Sequence, residues 1–235
     1  MSVQSYPLRV RSGSGIGDNL YGQAIARELS KIKDVEVCTN FPELYPYPVK
    51  FSEFSRHNID VIAHYSGRRR EPTNQWEDVQ ITSGVKATLT IDWEPRNLTL
   101  LDSLPEEFVL VIGGRLPMGR KDGYGLPLLP SQAVFNRELR KVGLPAVSIG
   151  RGDRVYPVEV DIDLDNKTSL SDILDIAWKA KVCFGQIGTL VPLAEIFDKP
   201  ATFIWSSRQP NHENWVINHL TPEKVLSKPA KVIYD

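Results

Sequence analysis

The chain has 235 residues and a net charge of −1 at pH 7. This length allows one large domain or two small ones, with a substantial buried core in either case. The near-neutral charge argues against a surface that binds polyanions over its whole extent, although it leaves room for a local basic cleft.

The two cysteines, Cys38 and Cys183, each lie within an apolar, strand-like run. This placement indicates buried thiols in a reducing compartment and excludes a zinc site built from cysteines. The first residues lack the profile of a secretory signal, and no stretch reaches the roughly 18 apolar residues that span a bilayer. We therefore expect a cytoplasmic protein with no membrane span.

A glycine-rich stretch, Ser12 to Leu20, follows the apolar run Leu8 to Val10 and precedes a helical pattern that reaches Lys31. A strand, a turn and a helix in this order bring backbone N–H groups and the positive helix end together, which suits an anion or a polar substrate. The alternating glycines match neither a dinucleotide-binding loop nor a Walker loop. Asp18, at the mouth of the turn, is either a functional carboxylate or only a helix cap.

The rest of the first half predicts a parallel sheet, because strand patterns alternate with helical or loop segments. The predicted elements after the first helix are a strand at Val35–Cys38, extended or turn structure over the proline-rich segment 41–48, a short buried strand at 59–63, a polar loop at 66–84 and a strand-like alternation at 86–93.

Three adjacent arginines, Arg68, Arg69 and Arg70, lie in the polar loop. They are candidates for an anion clamp, but such a run is also typical of a solvated surface. The segment from Pro95 to Pro105 looks like the connection between two halves. We place the division there, giving an N-terminal half of residues 1–100 and a C-terminal half of residues 101–235.

The second half opens with a continuous apolar run, Phe108 to Ile112, which predicts a buried parallel strand. A long loop rich in glycine, proline and charge follows it. Because open α/β sheets bind ligands at the carboxyl ends of their strands, this loop supplies candidates for a phosphate and a ring. These candidates are Arg115, Arg120, Lys121 and Tyr124.

The segment from Val158 to Leu164 alternates acidic and aliphatic residues after a predicted helix at 131–142 and a strand at 146–149. Asp161 and Asp163 form an Asp-x-Asp pair of the kind that holds magnesium or manganese in a metal-dependent sugar transferase. Strict alternation favours a simpler interpretation, an edge strand whose carboxylates point to water.

A second glycine turn follows the predicted helix 168–181 and the strand Val182 to Gly185. Gln186 begins this turn, and a further helix and the strand Ala201 to Trp205 come after it. The second half thus has its own helix N-terminus at a sheet edge.

Two separated segments resemble the signatures of heptosyltransferase-like glycosyltransferases. Gly15 to Leu20 with Ala26 to Leu29 resembles the N-terminal signature, and Lys167 to Leu170 with Gly185 to Pro200 resembles the C-terminal one. The resemblance implies an α/β fold of GT-B type, with two Rossmann-like parallel-sheet halves. The chain is shorter than is usual for this fold, so the N-terminal, acceptor-side half would be reduced.

The resemblance also implies a metal-independent, inverting glycosyltransferase that needs no cofactor and moves a sugar from a nucleotide-sugar to a hydroxyl acceptor. Asp18 would be the general base that removes the acceptor's proton. The acceptor side would include Gly15, Gly17, Arg68 and Arg69. The donor side would include Arg115, Lys121, Gln186, Gly188, Thr189 and Leu190.

Ile187 and Pro192 depart from the pattern of that family, which has Asp and His at these positions, and this argues against heptose as the transferred sugar. The acceptor stays open between a glycan, a lipid-linked sugar and a hydroxylated base in DNA, the last of which would require steep salt dependence. Two alternatives also stay open: a catalytically silent nucleotide-sugar-binding module, and a metal-dependent transferase that uses Asp161 and Asp163.

Overall fold

The computed structural model describes residues 6–65, 74–114, 130–205 and 221–235. The chain divides into two compact units, the first comprising Met1–Asp92 with Glu223–Ser227 and the second Trp93–Pro222 with Lys228–Asp235. The division predicted from the sequence lay a few residues later, at residue 100, and kept 223–227 with the second half. Each unit is built on a parallel sheet, as the fold class required.

The first unit contains a four-stranded parallel sheet in the order β3-β2-β1-β4. Its strands are β1 Leu8–Arg11, β2 Val35–Cys38, β3 Lys50–Ser52 and β4 Val61–Ile62. Its helices are α1 Ile16–Ser30, a 3₁₀ helix at Pro42–Leu44 and α2 Gln75–Ser83.

Helix α1 packs very closely against the end of β1, and a glycine in its middle makes this possible. A Cβ atom at Gly22 would lie 2.5 Å from the Ser12 Cβ and 3.3 Å from the Tyr45 hydroxyl. Glycine inside a helix costs about 1 kcal/mol relative to alanine. The tight contact between helix and strand explains why the sequence has glycine here.

Several predictions for the first unit were wrong. The segment 66–84 was predicted to be a loop, but its last part forms α2, which begins with a capping box between Asn74 and Glu77. The alternation over 86–93 does not form a strand; Gln23 and Arg27 of α1 instead donate to the backbone carbonyl of Thr90. Hydrogen bonds from side chains of α1 therefore fix this segment, and it is not paired as a strand.

The second unit contains a six-stranded parallel sheet in the order β10-β9-β8-β5-β6-β7. Its strands are β5 Val109–Ile112, β6 Ala146–Ser148, β7 Ile162–Asp163, β8 Val182–Gln186, β9 Ala201–Trp205 and β10 Lys231–Tyr234. Its helices are α3 Leu98–Asp102, α4 Gln132–Arg140, α5 Leu170–Lys179 and α6 Leu190–Ile196. A last short helix, α7 Pro222–Val225, lies at the boundary of the two units.

Phe135 of α4 is the centre of the second unit's core. It is fully buried and packs edge to face against Phe184, with ring centroids 5.1 Å apart. A Cβ atom at Gly113 would lie 2.2 Å from this ring, and one at Gly185 would lie 2.0 Å from the Ile112 carbonyl oxygen. Because Gly113 has no side chain, Phe135 of α4 can lie directly against it. Because Gly185 has none, β8 can lie close to β5 at Ile112.

The segment that opens the second unit is fastened to α5 by Asp175, whose side chain is fully buried. Its carboxylate accepts hydrogen bonds from the Trp93 Nε1 at 2.7 Å, from the Arg96 backbone N–H at 3.1 Å and from the Asn97 backbone N–H at 2.7 Å. Asn97 in turn caps α3. A buried carboxylate is tolerated here because several donors meet it.

The predicted helices at 131–142 and 168–181 are confirmed as α4 and α5, each shorter by one to a few residues at its ends. The sequence did not indicate α3 or β10. Cys38 and Cys183 are both buried and free, as expected. In the part of the chain that the structure describes, no helix is long and apolar enough to cross a membrane.

Replacing Asp175 by alanine should lower the free energy of unfolding by about 3 kcal/mol, because three N–H donors, among them the buried Trp93 Nε1, would lose their acceptor. Urea denaturation of the purified protein measures this. The matched control is Asp102→Ala, which removes an exposed carboxylate from α3 and should change the stability by less than about 0.5 kcal/mol. Equal effects of the two substitutions would contradict the role given to Asp175.

Candidate functional site

The glycine loop of the first unit lies where the strand order reverses. From β1 the chain proceeds to β2 and β3 on one side, whereas β4 pairs on the other side of β1. Loops that leave neighbouring strands in opposite directions open a crevice at their carboxyl ends, and α/β sheets bind ligands there. The two segments at this crevice are 12–15, after β1, and Ala63–Tyr65, after β4.

Asn19 fixes the shape of the glycine loop. Its Nδ2 donates to the carbonyl oxygens of Gly13 at 3.0 Å and Gly15 at 2.8 Å. Its Oδ1 accepts three hydroxyl hydrogen bonds, which come from Ser12 at 2.6 Å, Thr39 at 2.7 Å and Tyr45 at 2.9 Å. Asn19 is 1% exposed, so this network is buried and its amide is fully used.

Asp18 caps α1 and also faces a histidine. Its Oδ2 accepts a hydrogen bond from the Gly15 backbone N–H at 3.1 Å, which is the helix-cap role considered from the sequence. Its Oδ1 lies 3.5 Å from the His64 Nε2. The side chains of Asp18 and His64 are 20% and 30% exposed, so both reach solvent at the crevice.

Gly13 is the residue that lets these two side chains meet. A Cβ atom there would lie 2.3 Å from the Asp18 Oδ2 and 2.4 Å from the His64 Cδ2. Gly15 and Gly17, predicted for the acceptor side, are half-buried on either side of Ile16 at the start of α1. The glycine loop thus brings its backbone, a carboxylate and an imidazole together.

The second unit has a reversal of the same kind, between β5 and β8. From β5 the chain adds β6 and β7 on one side, and β8, β9 and β10 follow on the other. The segments at this crevice are Gly113–Gly114, after β5, and 187–189, after β8. The predicted donor-side turn therefore lies at the ligand-binding edge of its sheet.

The predicted donor-side residues of this turn differ in accessibility. Gln186 is buried, and its Oε1 accepts from the Gly114 backbone N–H at 3.1 Å, which fixes the loop after β5. Gly188 is exposed with φ +138°, and a Cβ there would meet no atom within 4 Å. Thr189 is half-buried, and Leu190 is fully buried in the core. Of these four residues, only Gly188, through its backbone, and Thr189 are accessible to a ligand.

The predicted cationic residues lie outside the described residues. This applies to Arg68, Arg69 and Arg70 of the first half and to Arg115, Arg120 and Lys121, with Tyr124, of the second.

Asp163 lies on β7, at the outer edge of the second sheet, and Asp161 comes directly before this strand. Both residues are exposed, as we expected for an edge strand, and their carboxylates also accept hydrogen bonds within the protein. Asp161 accepts from the Ala146 backbone N–H at 2.7 Å, and Asp163 accepts from the Asp165 backbone N–H at 2.9 Å and the Ser148 hydroxyl at 3.2 Å. Among residues 6–65, 74–114, 130–205 and 221–235, no group of three His, Cys, Asp or Glu is arranged to hold a metal.

No protein-family model matches the sequence, and none of the curated proteins matches it. Solved structures do match. The ADP-heptose LPS heptosyltransferase II of E. coli aligns with a TM-score of 0.60 and 14% identity over 97% of this chain and 90% of its own. A family 9 glycosyl transferase from Veillonella parvula aligns with a TM-score of 0.62 and 10% identity over 100% and 88%. The chain has the heptosyltransferase fold.

This heptosyltransferase fold confirms the two-sheet architecture that the sequence signatures implied. The dodecameric, iron-containing glycosyltransferase TibC from enterotoxigenic E. coli also matches, with a TM-score of 0.56 and 14% identity over 100% of this chain. This chain spans only 60% and 64% of the length of TibC in its two matching structures.

The two positions that depart from the family's pattern are both buried. Ile187 is 6% exposed, and Pro192 lies inside α6. Glu195, three residues after Pro192, is 4% exposed, and its Oε1 accepts from the Lys228 backbone N–H at 3.3 Å. These three buried residues therefore stabilise the turn and the helix that follows it.

Sequence reasoning missed His64 and the hydroxyl residues that meet Asn19. His64 follows a predicted strand, and the position after a parallel strand was the available signal for it. Thr39 and Tyr45 gave no such signal, because they reach Asn19 from 20 and 26 residues away.

Replacing Asn19 by alanine should lower the free energy of unfolding by about 2–4 kcal/mol, because three buried hydroxyl groups would lose their acceptor. Amide hydrogen exchange over residues 13–18 should also become faster. Both effects are measured on the purified protein, with Asn40→Ala as the control, since Asn40 is an exposed asparagine of the same unit. Unchanged exchange in the loop would show that Asn19 does not hold it.

Proposed function

We propose that the protein is a nucleotide-sugar-dependent glycosyltransferase that moves a sugar to a hydroxyl acceptor with inversion and without a metal. The observation that supports this most directly is the glycine loop of the first unit, which holds Asp18 at the crevice of a sheet within the heptosyltransferase fold. A carboxylate held there is suited to drive the removal of a proton from an acceptor hydroxyl.

The donor is assigned to the second unit, at the crevice between β5 and β8. Gly188 leaves open space there, and backbone N–H groups of the turn can stabilise the diphosphate that departs. Arg115 and Lys121 are proposed as its cationic partners because they follow β5 in sequence. One matching structure contains ADP-D-β-D-heptose and another contains ADP, which makes an adenosine diphosphate sugar the first donor to test.

The acceptor is assigned to the first unit, with Gly15, Gly17, Arg68 and Arg69 on its binding side. Two acceptor classes suit a hydroxyl nucleophile: a glycan, free or lipid-linked, and a hydroxylated base in DNA. A DNA acceptor would make turnover fall steeply with salt because phosphate contacts release counterions. Both cysteines are buried free thiols, in keeping with the cytoplasm as the proposed location.

A second candidate function is a nucleotide-sugar-binding module without catalysis. It is favoured by the apolar residues Ile187 and Pro192, which occupy positions that are polar in the family's pattern and are buried here. Such a module would bind the donor and leave it intact.

Replacing Asp18 by alanine should reduce nucleotide release from a nucleotide-sugar by about 10²–10⁴-fold, because the carboxylate that drives proton removal is lost. The measurement is nucleotide release from a panel of nucleotide-sugars, with ADP-heptose and other ADP-sugars among them, in the presence of a panel of glycan and hydroxymethylated DNA acceptors. Donor binding, followed by thermal shift, should stay the same, because the donor is assigned to the other unit.

The control variant is Asp34→Ala, which removes an exposed carboxylate of the same unit beyond α1. It should leave both release and binding unchanged. A donor that binds to the wild type and to Asp18→Ala equally, with no release from either, would favour the binding module.

Chelation with EDTA followed by addition of Mn²⁺ should leave the rate of nucleotide release unchanged. Asp161 and Asp163 already accept hydrogen bonds within the second sheet, so they are not prepared to hold a metal. Loss of release with EDTA and its recovery with Mn²⁺ would instead support the metal-dependent alternative.

A further inference from the structure

His64 lies at the crevice of the first unit, with a side chain that is 30% exposed. It follows β4 directly, and Ala63 before it donates to the Arg11 carbonyl at 2.8 Å, which fixes this end of the strand against β1. Its ring stacks on Tyr65 with centroids 4.1 Å apart. The imidazole is therefore held in place at the crevice from its own strand end.

The contacts of one edge of the His64 imidazole define the orientation of the ring. The Nε2 lies 3.5 Å from the Asp18 Oδ1, and the neighbouring Cδ2 faces Gly13, where a Cβ would lie 2.4 Å from it. The edge of the ring with Nε2 and Cδ2 thus faces the glycine loop. The Nδ1 belongs to the opposite edge.

Both oxygens of Asp18 are engaged. Oδ2 accepts from the Gly15 N–H, and Oδ1 faces the His64 Nε2. A carboxylate placed behind an imidazole has a second use, which is to fix the tautomer of the ring and to stabilise the imidazolium that forms.

We propose that His64 is the catalytic base of this protein and that Asp18 is its positioning residue. This inference rests on the proposed glycosyltransferase function and refines the part that Asp18 plays in it. Neutral His64 has its proton on Nε2 and donates it toward Asp18, so that the lone pair of Nδ1 is available to the acceptor.

The reaction is a displacement at the anomeric carbon of the donor sugar. The acceptor's hydroxyl oxygen forms the new C–O bond, and its proton passes to the Nδ1 of His64. The bond from the anomeric carbon to the diphosphate oxygen breaks, and its electron pair leaves with the nucleoside diphosphate. The resulting imidazolium, next to the Asp18 carboxylate, then returns its proton to water.

Other ionisable groups lie on the elements around this pair. They include Arg11 on β1, Cys38 on β2, Tyr45 after the 3₁₀ helix, Asp60 before β4 and Asp78 on α2. Arg11 has its guanidinium over the Phe54 ring, 5.9 Å from the centroid. Burial raises the pKa of the Tyr45 phenol, which therefore stays neutral throughout the range of an assay.

The first test needs no substrate. The ¹⁵N NMR spectrum of the imidazole groups, recorded at pH 8.5 and assigned with His64→Gln, identifies which nitrogen of His64 has the proton. We expect the proton on Nε2 in the wild type and a mixture of tautomers in Asp18→Ala. A proton on Nδ1 in the wild type would overturn the proposal, whether or not a donor or an acceptor has been found.

The second test is the pH dependence of nucleotide release with the same donor and acceptor panels. Because a base must be unprotonated, the wild-type rate should fall on the acid side of the profile, and replacing the base should remove this fall. His64→Gln should lose about 10²–10⁴-fold in rate and show no such fall. Asp18→Asn should be slow but keep the fall.

His57→Gln is the matched control, because His57 is an exposed histidine of the same unit, and it should keep the wild-type rate and profile. A rate for His64→Gln within a few-fold of the wild type, with an unchanged profile, would overturn the proposal and leave Asp18 as the base. Wild-type protein that binds a nucleotide-sugar of the donor panel and releases no nucleotide with any acceptor would contradict the glycosyltransferase function, and the tautomer measurement would still decide the pairing of His64 with Asp18.

Discussion

The buried amide of Asn19 is the contact on which the shape of the first unit's crevice depends. It joins the end of β1, the glycine loop, the start of α1 and the residues after β2 through five side-chain hydrogen bonds. An amide can do this because it has two donors and an acceptor oxygen with more than one lone pair, and here they are used at once. A carboxylate in its place would set negative charge against the carbonyls of Gly13 and Gly15.

The crevices of the two units depend on glycines, which have no side chain, as much as on the side chains around them. Gly13 gives Asp18 and His64 room to meet, and Gly22 lets α1 approach Ser12. In the second unit, Gly113 and Gly185 do the equivalent for Phe135 and for the contact of β5 with β8. Close packing at a strand end keeps the loop beyond it in a defined position. A ligand site depends on such a fixed loop.

Three aspartates show how the environment of a side chain gives the same residue type different roles. Asp175 is fully buried and is used entirely in holding the 93–97 segment. Asp161 bonds to the backbone of its neighbouring strand at a sheet edge. Asp18 alone of these combines solvent access with an imidazole partner at a crevice. The residue type is the same in all three cases, and the surrounding donors and solvent access separate a structural acid from a candidate functional one.

The sequence by itself determined the parallel α/β architecture in two parts, the glycine loop before α1 and the position of Asp18, because these depend on local periodicity and on turn residues. It did not determine that 86–93 is held by α1, that β10 joins the second sheet, or that His64 meets Asp18. These features depend on partners that are distant in sequence, such as Thr90 with Arg27, 63 residues apart. Only the tertiary structure decided them, because strand order and close helix packing bring together side chains that no local pattern relates.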